Sequence, residues 1–177
     1  MTQEQPARYQ RSTGGLVGAM VVIVVLMLGW VLLRSLTSHD AGTPTRTVDY
    51  KTAVPAARKA ADFALLAPPR LPRGWRATSV GYRDEPRPHW HLGVLTDRDR
   101  YVGLEQGDLP VRSLLAQSVD GSTTKGTPVL VDGKPWATYT DTGGDLCLVR
   151  RHGRTTTLVV GHDVPTPALV SYTASLR

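Results

Sequence analysis

A run of twenty uncharged residues near the N-terminus constrains this chain more than any other feature. It begins at Gly14 and ends at Leu33. At about 1.5 Å per residue, a helix of this length spans roughly 30 Å, the thickness of the hydrocarbon core of a bilayer. Trp30 lies near one end, where an indole ring favours the membrane interface. Because hydrocarbon offers the backbone no hydrogen-bond partners, the run predicts a transmembrane helix over 14–33.

The alternative to an anchor is a cleaved signal peptide, whose hydrophobic region is about 7–15 residues long and ends at a small-residue cleavage site. The run in this chain is longer, and Arg34 follows it directly. We therefore expect a retained single-pass anchor in the cytoplasmic membrane. The positive charges on its two flanks are nearly balanced. A short tail over 1–13 and a large domain after the helix favour a cytoplasmic tail and an extracytoplasmic domain.

The chain after the anchor divides into a linker and one domain. Residues 35–46 are rich in Ser, Thr, Gly and Asp and lack an apolar period, which is typical of a linker. Residues 47–177 are enough for one domain with a hydrophobic core. The chain has 21 Lys or Arg against 15 Asp or Glu. We interpret this basic excess as part of a solvated surface of mixed charge. A single cysteine, Cys147, excludes an intrachain disulfide.

Hydrophobic periodicity predicts an α+β domain in which an antiparallel sheet carries helices on one face. Residues 47–53 are predicted to form a short strand. Pro55 and Pro110 each suit the first turn of a helix, and each is predicted to open one. Alternating apolar residues after each of these helices predict two sets of strands joined by hairpins. Residues 166–176 are predicted to form a closing helix.

The starts of these helices also indicate an internal repeat. Pro165 follows Pro110 by 55 residues, and Pro110 follows Pro55 by the same interval. One unit would be a helix followed by an antiparallel meander, whose apolar face needs a helix to cover it. The domain could therefore consist of two duplicated helix–meander units with a closing helix.

Three segments of the chain are similar to a known family. Residues 71–79 are LPRGWRATS, residues 90–93 are WHLG, and residues 101–106 are YVGLEQ. In these segments the chain resembles an actinobacterial family of membrane-anchored proteins labelled domain of unknown function 4245. The resemblance covers the anchor and most of residues 47–177. It implies an extracytoplasmic protein of the cell envelope, and it implies no activity because the family offers no catalytic residues to carry over.

His89 and His91 are the pair best suited to bind a metal ion. Residues two apart on a strand point to the same face, and paired imidazoles suit zinc or copper. A zinc site needs at least a third protein ligand. His152, His162 and Asp163 are candidates, although nothing in the sequence brings them together. We therefore expect no metal or other cofactor and keep His89 and His91 as the candidates if a metal does bind.

The segment most specific to the resemblance also contains the candidate ligand-binding residues, which are Trp90, His91, Tyr101, Glu105 and Gln106. The chain contains no nucleophile elbow, phosphate-binding loop or dinucleotide-binding fingerprint, so its catalytic residues, if it has any, are unknown. We expect a non-enzymatic binding or interaction module of the cell envelope. Its partner would be an envelope protein, a lipid or a wall component, and not a nucleic acid. The alternative is a metal- or carboxylate-dependent hydrolase centred on His89, His91 and Glu105.

Overall fold

The computed structural model describes residues 46–119 and 121–177 of the chain. The predicted transmembrane helix over 14–33, the tail before it and nearly all of the predicted linker lie outside the described residues. Within the described residues, no helix has both the length and the apolar character needed to span a membrane.

The described residues contain three helices, α1 (Tyr50–Ala60), α2 (Val111–Ser118) and α3 (Thr166–Ala174). Asp49 starts α1, because its carboxylate accepts hydrogen bonds from a backbone N–H and a hydroxyl of the first turn. The prediction of a strand over 47–53 is therefore wrong, and Pro55 lies inside α1 rather than at its start. Pro110 and Pro165 directly precede α2 and α3, as their position before an apolar period indicates.

Eight strands of the described residues form an open antiparallel sheet, which confirms the α+β class. They are β1 (Arg76–Arg83), β2 (His89–Leu95), β3 (Tyr101–Gly107), β4 (Thr123–Lys125), β5 (Val129–Val131), β6 (Lys134–Asp141), β7 (Leu146–His152) and β8 (Thr155–Gly161). Their order across the sheet is β1-β2-β3-β8-β7-β6-β4, and β5 pairs with β6 beside this path. The central β3–β8 pair joins the first three strands to the later ones.

The sheet has a hydrophobic core on each face. Leu104 and Val159 belong to the core that α1 and α3 cover, whereas Cys147 and Leu158 pack against α2 on the opposite face. The prediction that the helices lie on one face is therefore wrong. Residues 146–149 and 158–160 are apolar at consecutive positions, so β7 and β8 bury side chains on both faces and need cover on both.

The strand order is symmetric about the β3–β8 pair, as two related meanders would produce. The helices do not follow that symmetry. The first helix, α1, packs beside β1 at the edge of the sheet, whereas α2 lies on the other face against β8 and β3. Among the described residues, β4 and β5 also have no counterparts in the first half. The two halves are therefore not equivalent helix–meander units.

Candidate functional site

The pairing of β2 with β3 sorts the candidate residues onto the two faces of the sheet. His91 lies opposite Glu105, and Trp90 lies opposite Gln106. Because side chains alternate along a strand, His91 and Glu105 share one face, and Trp90 and Gln106 share the other. His89 lies two residues from His91 and joins its face, as the sequence predicts. One histidine pair and one carboxylate are thus brought together.

Trp90 and Gln106 serve the core on the opposite face. The Trp90 side chain is fully buried, and its Nε1 donates to the carbonyl of Leu66 at 3.1 Å. The Oε1 of Gln106 accepts from the N–H of Leu66 at 2.9 Å, and its Nε2 donates to the carbonyl of Ala64 at 3.0 Å. These bonds fix the segment between α1 and β1 on the sheet. They give both side chains a structural role, and we leave both out of the proposed ligand site.

Glu105 holds the two histidines together. Its Oε1 accepts from Nδ1 of His91 at 2.5 Å, which requires the proton of neutral His91 to be on Nδ1. Its Oε2 lies 3.0 Å from Nε2 of His89, within ion-pair distance. Arg83 donates to Nδ1 of His89 at 3.3 Å, so the proton of neutral His89 is on Nε2. The two histidines therefore hold opposite tautomers when neutral.

Ser79, on β1, completes this row, although no sequence motif marks it as a candidate. Its Oγ lies 2.7 Å from Nε2 of His91. Because Nδ1 of His91 carries the ring proton, Nε2 accepts, and the Ser79 hydroxyl donates to it. The pairing of β1 with β2 shifts between Ala77 and Ser79, which is a β-bulge with one extra residue. This shift sets Ser79 opposite Gly93 and directs its hydroxyl toward His91.

Gly93 leaves the space in which the Ser79 hydroxyl lies. A Cβ at position 93 would overlap the Oγ of Ser79 and would stand 3.1 Å from both the ring and the hydroxyl of Tyr101. Gly103, on the next strand, lies beneath the same ring, since its Cβ would stand 3.0 Å from an aromatic carbon of Tyr101. The Ser79 hydroxyl and the ring and hydroxyl of Tyr101 therefore pack together over Gly93. Tyr101, a predicted candidate, thus joins this site.

The buried position of Glu105 shapes the electrostatics of the row. The Glu105 side chain is 12% exposed, and such burial alone raises the pKa of a carboxyl group. Hydrogen bonding and attraction from His89 and His91 outweigh this effect and leave the pKa of Glu105 below its ordinary value. Burial, together with the charge of Glu105, raises the pKa of Tyr101 to about 12. At neutral pH, Glu105 is thus a carboxylate and Tyr101 keeps its proton.

Several of these side chains border a cleft of about 350 Å³ between the first strands and α2. We name it the β1–β3 cleft, and its lining is Val80, Gly81, Arg83, His89, His91, Glu105, Gln117 and Ser118. Arg83 is exposed, whereas the side chains of His89 and Glu105 are 13% and 12% exposed. The cleft therefore has a cationic group that solvent reaches and a nearly buried histidine–carboxylate pair.

Comparison with known proteins identifies the family of this chain. The model of a family described as a protein of unknown function (DUF4245) matches residues 8–170. The chain belongs to this family. No curated protein and no solved structure matches the chain. The DUF4245 family has no assigned activity, so the chemistry of the β1–β3 cleft must follow from its side chains.

The histidine pair of this DUF4245 chain is not arranged as a metal site. Both ring nitrogens of His91 have partners, Glu105 at Nδ1 and Ser79 at Nε2. Within residues 46–119 and 121–177, no three or more His, Cys, Asp or Glu side chains are grouped so that they could hold a metal ion. The ring nitrogens of His91 therefore belong to a row of contacts with Ser79 and Glu105.

The other predicted metal ligands lie elsewhere in the fold. His162 forms an ion pair with Asp145, and its ring centroid lies 5.4 Å from that of Tyr101. His152 ends β7 and lines a different cavity from the β1–β3 cleft. Asp163 pairs with Arg100. The structure therefore joins His89 and His91 to Glu105 and to none of these three candidates.

Proposed function

We propose that this DUF4245 chain is a domain tethered to the outer side of the cytoplasmic membrane of an actinobacterium, and that it binds an envelope component in the β1–β3 cleft. The observation that supports binding is the convergence of Arg83, His89, His91 and Glu105 on about 350 Å³ of space. Concave sites with a few convergent polar groups and a shifted pKa are where proteins most often bind ligands.

Arg83 indicates the chemistry of the ligand. It is exposed, and its guanidinium has one acceptor among the described residues, Nδ1 of His89 at 3.3 Å. A guanidinium carries five N–H donors in a planar fork that suits carboxylate and phosphate oxygens. The volume of the cleft suits a headgroup, a sugar or one side chain. We therefore propose a lipid, a wall component or a protein segment that presents an anionic oxygen to Arg83.

The tethered location is supported by the run over 14–33. The run is uncharged and as long as a bilayer core is thick, and the family match includes it because that match begins at residue 8. A reporter enzyme that works only outside the cytoplasm, fused after Arg177, tests this location. The proposal predicts an active reporter. If this reporter is inactive and a second reporter that works only in the cytoplasm is active, the location is contradicted and nucleic acid becomes a possible ligand.

Photocrosslinking in intact cells tests the binding site. Gly81 lines the cleft, and a Cβ added there meets no heavy atom within 4 Å, so a photoreactive phenylalanine analogue can replace it. Thr124, which is exposed on β4 at the opposite edge of the sheet, is the matched control position. We expect an envelope species to crosslink at position 81 and not at 124, and the yield to fall with Arg83→Ala. Equal crosslinking at 81 and 124 would contradict a specific site.

A further inference from the structure

We propose that Ser79 is the nucleophile of an ester-hydrolysing centre beside the β1–β3 cleft, with His91, which lines the cleft, as its general base and Glu105 as the group that orients His91. The inference rests on the proposed function, because it makes the ligand of the cleft a substrate. The Oγ of Ser79 lies 2.7 Å from Nε2 of His91, and Nδ1 of His91 lies 2.5 Å from Oε1 of Glu105. Hydrolases of unrelated folds share this order of hydroxyl, imidazole and carboxylate.

A serine beside a histidine is common on protein surfaces, and the surroundings of His91 distinguish this pair. Glu105 fixes the tautomer of His91 that accepts at Nε2, so the ring faces Ser79 with a lone pair. The Glu105 side chain is 12% exposed, and its charge is therefore weakly screened by solvent when His91 becomes an imidazolium. The His91 side chain is 30% exposed, so a substrate and water reach the row.

Tyr101 supplies a hydrogen-bond donor for the oxyanion that ester hydrolysis produces. Its hydroxyl and the Oγ of Ser79 both pack over Gly93. An ester carbonyl that Ser79 attacks from the solvent side would carry its oxygen beside this phenolic O–H. Tyrosine hydroxyls serve as oxyanion donors in acyl transfer, and one such donor contributes about 10²–10³ in rate. Tyr101 is therefore assigned a catalytic role beside Ser79 and His91.

The reaction follows from these positions. The Oγ of Ser79 forms a bond to the ester carbonyl carbon while its proton passes to Nε2 of His91, and Tyr101 donates to the resulting oxyanion. The C–O bond to the alcohol then breaks, and the alcohol leaves with the proton from His91. Water attacks the acyl-Ser79 ester and gives a proton to His91, which returns it to Ser79 as the acid departs. The sum is ester plus water to acid plus alcohol, with no other reactant.

Arg83 narrows the substrate class. It lines the cleft, lies four residues from Ser79 along β1 and opposite His89, and has no other acceptor among the described residues. A carboxylic ester whose acid or alcohol part carries a carboxylate or phosphate would place that anion at Arg83 and its carbonyl near Ser79. Arg83→Ala should therefore raise KM more for an anionic ester than for a neutral ester.

Labelling of the full-length chain in detergent with a fluorophosphonate probe tests the inference. We expect a covalent adduct that peptide mapping places on Ser79, with Ser79→Ala abolishing it and Ser171→Ala, an exposed serine on α3, leaving it unchanged. His91→Ala should slow labelling and p-nitrophenyl acetate hydrolysis by about 10²–10⁴, the range for a general base. Tyr101→Phe should slow hydrolysis by about 10²–10³.

Glu105 is a positioning residue that acts through His91. Its substitution should therefore change the state of the His91 ring as well as the rate of labelling. Glu105→Gln should slow labelling and should move the proton of the neutral His91 ring from Nδ1 toward Nε2 in nitrogen NMR, because an amide can donate to Nδ1 whereas a carboxylate only accepts. A slower rate with an unchanged His91 tautomer would contradict the assigned role.

The outcomes separate this inference from the proposed function. An adduct on another serine, or no adduct, overturns the hydrolytic centre, and peptide mapping of the wild-type chain decides this even if Ser79→Ala does not fold. Envelope crosslinking at position 81 without a Ser79 adduct leaves a binding site that does not hydrolyse its ligand. A Ser79 adduct without crosslinking supports the hydrolytic centre and contradicts the proposed envelope partner.

Discussion

Gly93 lies directly opposite Ser79 in the β1–β2 pair, and a Cβ at position 93 would overlap the Oγ of Ser79. The position of the hydroxyl therefore depends on an absent side chain on the neighbouring strand. Small-to-large changes in packed regions cost about 1–3 kcal/mol. A larger side chain at position 93 should therefore disturb both the Ser79–His91 contact and the stability of the chain.

Gly93→Ala should displace the Ser79 hydroxyl, lower the free energy of unfolding by about 1–3 kcal/mol and abolish probe labelling of Ser79. Gly81→Ala is the matched control, because a Cβ at position 81 meets no heavy atom within 4 Å. Its effect on stability should stay within about 0.5 kcal/mol. Denaturant unfolding and labelling of the two variants check this. Equal effects of the two substitutions would contradict the packing of Ser79 over Gly93.

Glu105 should contribute stability that depends on pH. Its pKa is lowered in the folded chain, so the contribution is fully present above the pKa of the unfolded chain, ordinarily 4.5, and is lost as pH falls through the folded pKa. The difference in unfolding free energy between wild type and Glu105→Gln should therefore shrink as the pH falls below about 4.5. Glu85→Gln, at an exposed carboxylate, is the control. A difference that keeps growing below pH 4.5 would contradict the assignment.

The sheet could be predicted from strand alternation and turn signals, whereas the side that each helix covers could not. In β2, Trp90, Leu92 and Val94 face the core whereas His89 and His91 line the cleft, and such alternation fixes the orientation of a strand. Cys147, Leu148 and Val149 are all apolar and all buried. The sequence of β7 therefore shows no alternation of apolar and polar residues that would indicate which face of the sheet a helix covers. Asp49, a favoured N-cap residue, marks the start of α1, but the position of Pro55 indicated a later start.

The site could be predicted only in part. Because side chains alternate along a strand, His89 and His91 can be placed on one face from the sequence. Glu105 joins them only in the observed register of β2 with β3, since a shift of one residue would put it on the opposite face. Ser79 depends on a β-bulge that no local pattern marks. Gly93 was the available signal, since a glycine within a strand often indicates a close approach from a neighbour.

Gln106 should matter for stability and not for the chemistry of the cleft. Gln106→Ala would leave the buried N–H of Leu66 and the carbonyl of Ala64 without their partner and should cost about 1–3 kcal/mol. Gln117→Ala, at an exposed position on α2, should stay within about 0.5 kcal/mol. Thermal unfolding gives both values. Loss of Ser79 labelling in folded Gln106→Ala protein would contradict the separation of the two faces.

Cys147 should not react in the folded chain. Its side chain is fully buried in the core beneath α2, and burial, with the charges of Asp141 and Asp145, raises the pKa of its thiol to about 12. A thiol reagent should modify it only after unfolding. Leu130→Cys adds a thiol at a site where the native side chain is 71% exposed, and this second thiol should react at once. Rapid modification of Cys147 in the wild-type chain would contradict the described packing of α2.

The tautomers of His89 and His91 test the central claim most directly, because the whole row depends on where their protons lie. Nitrogen NMR of ¹⁵N-histidine-labelled chain, measured at a pH where both rings are neutral, distinguishes Nδ1–H from Nε2–H, and His89→Gln and His91→Gln variants assign the signals. The account predicts Nδ1–H at His91, with Nε2 open to the Ser79 hydroxyl, and Nε2–H at His89. Nε2–H at His91 would contradict it, since Ser79 would then have no base to accept its proton.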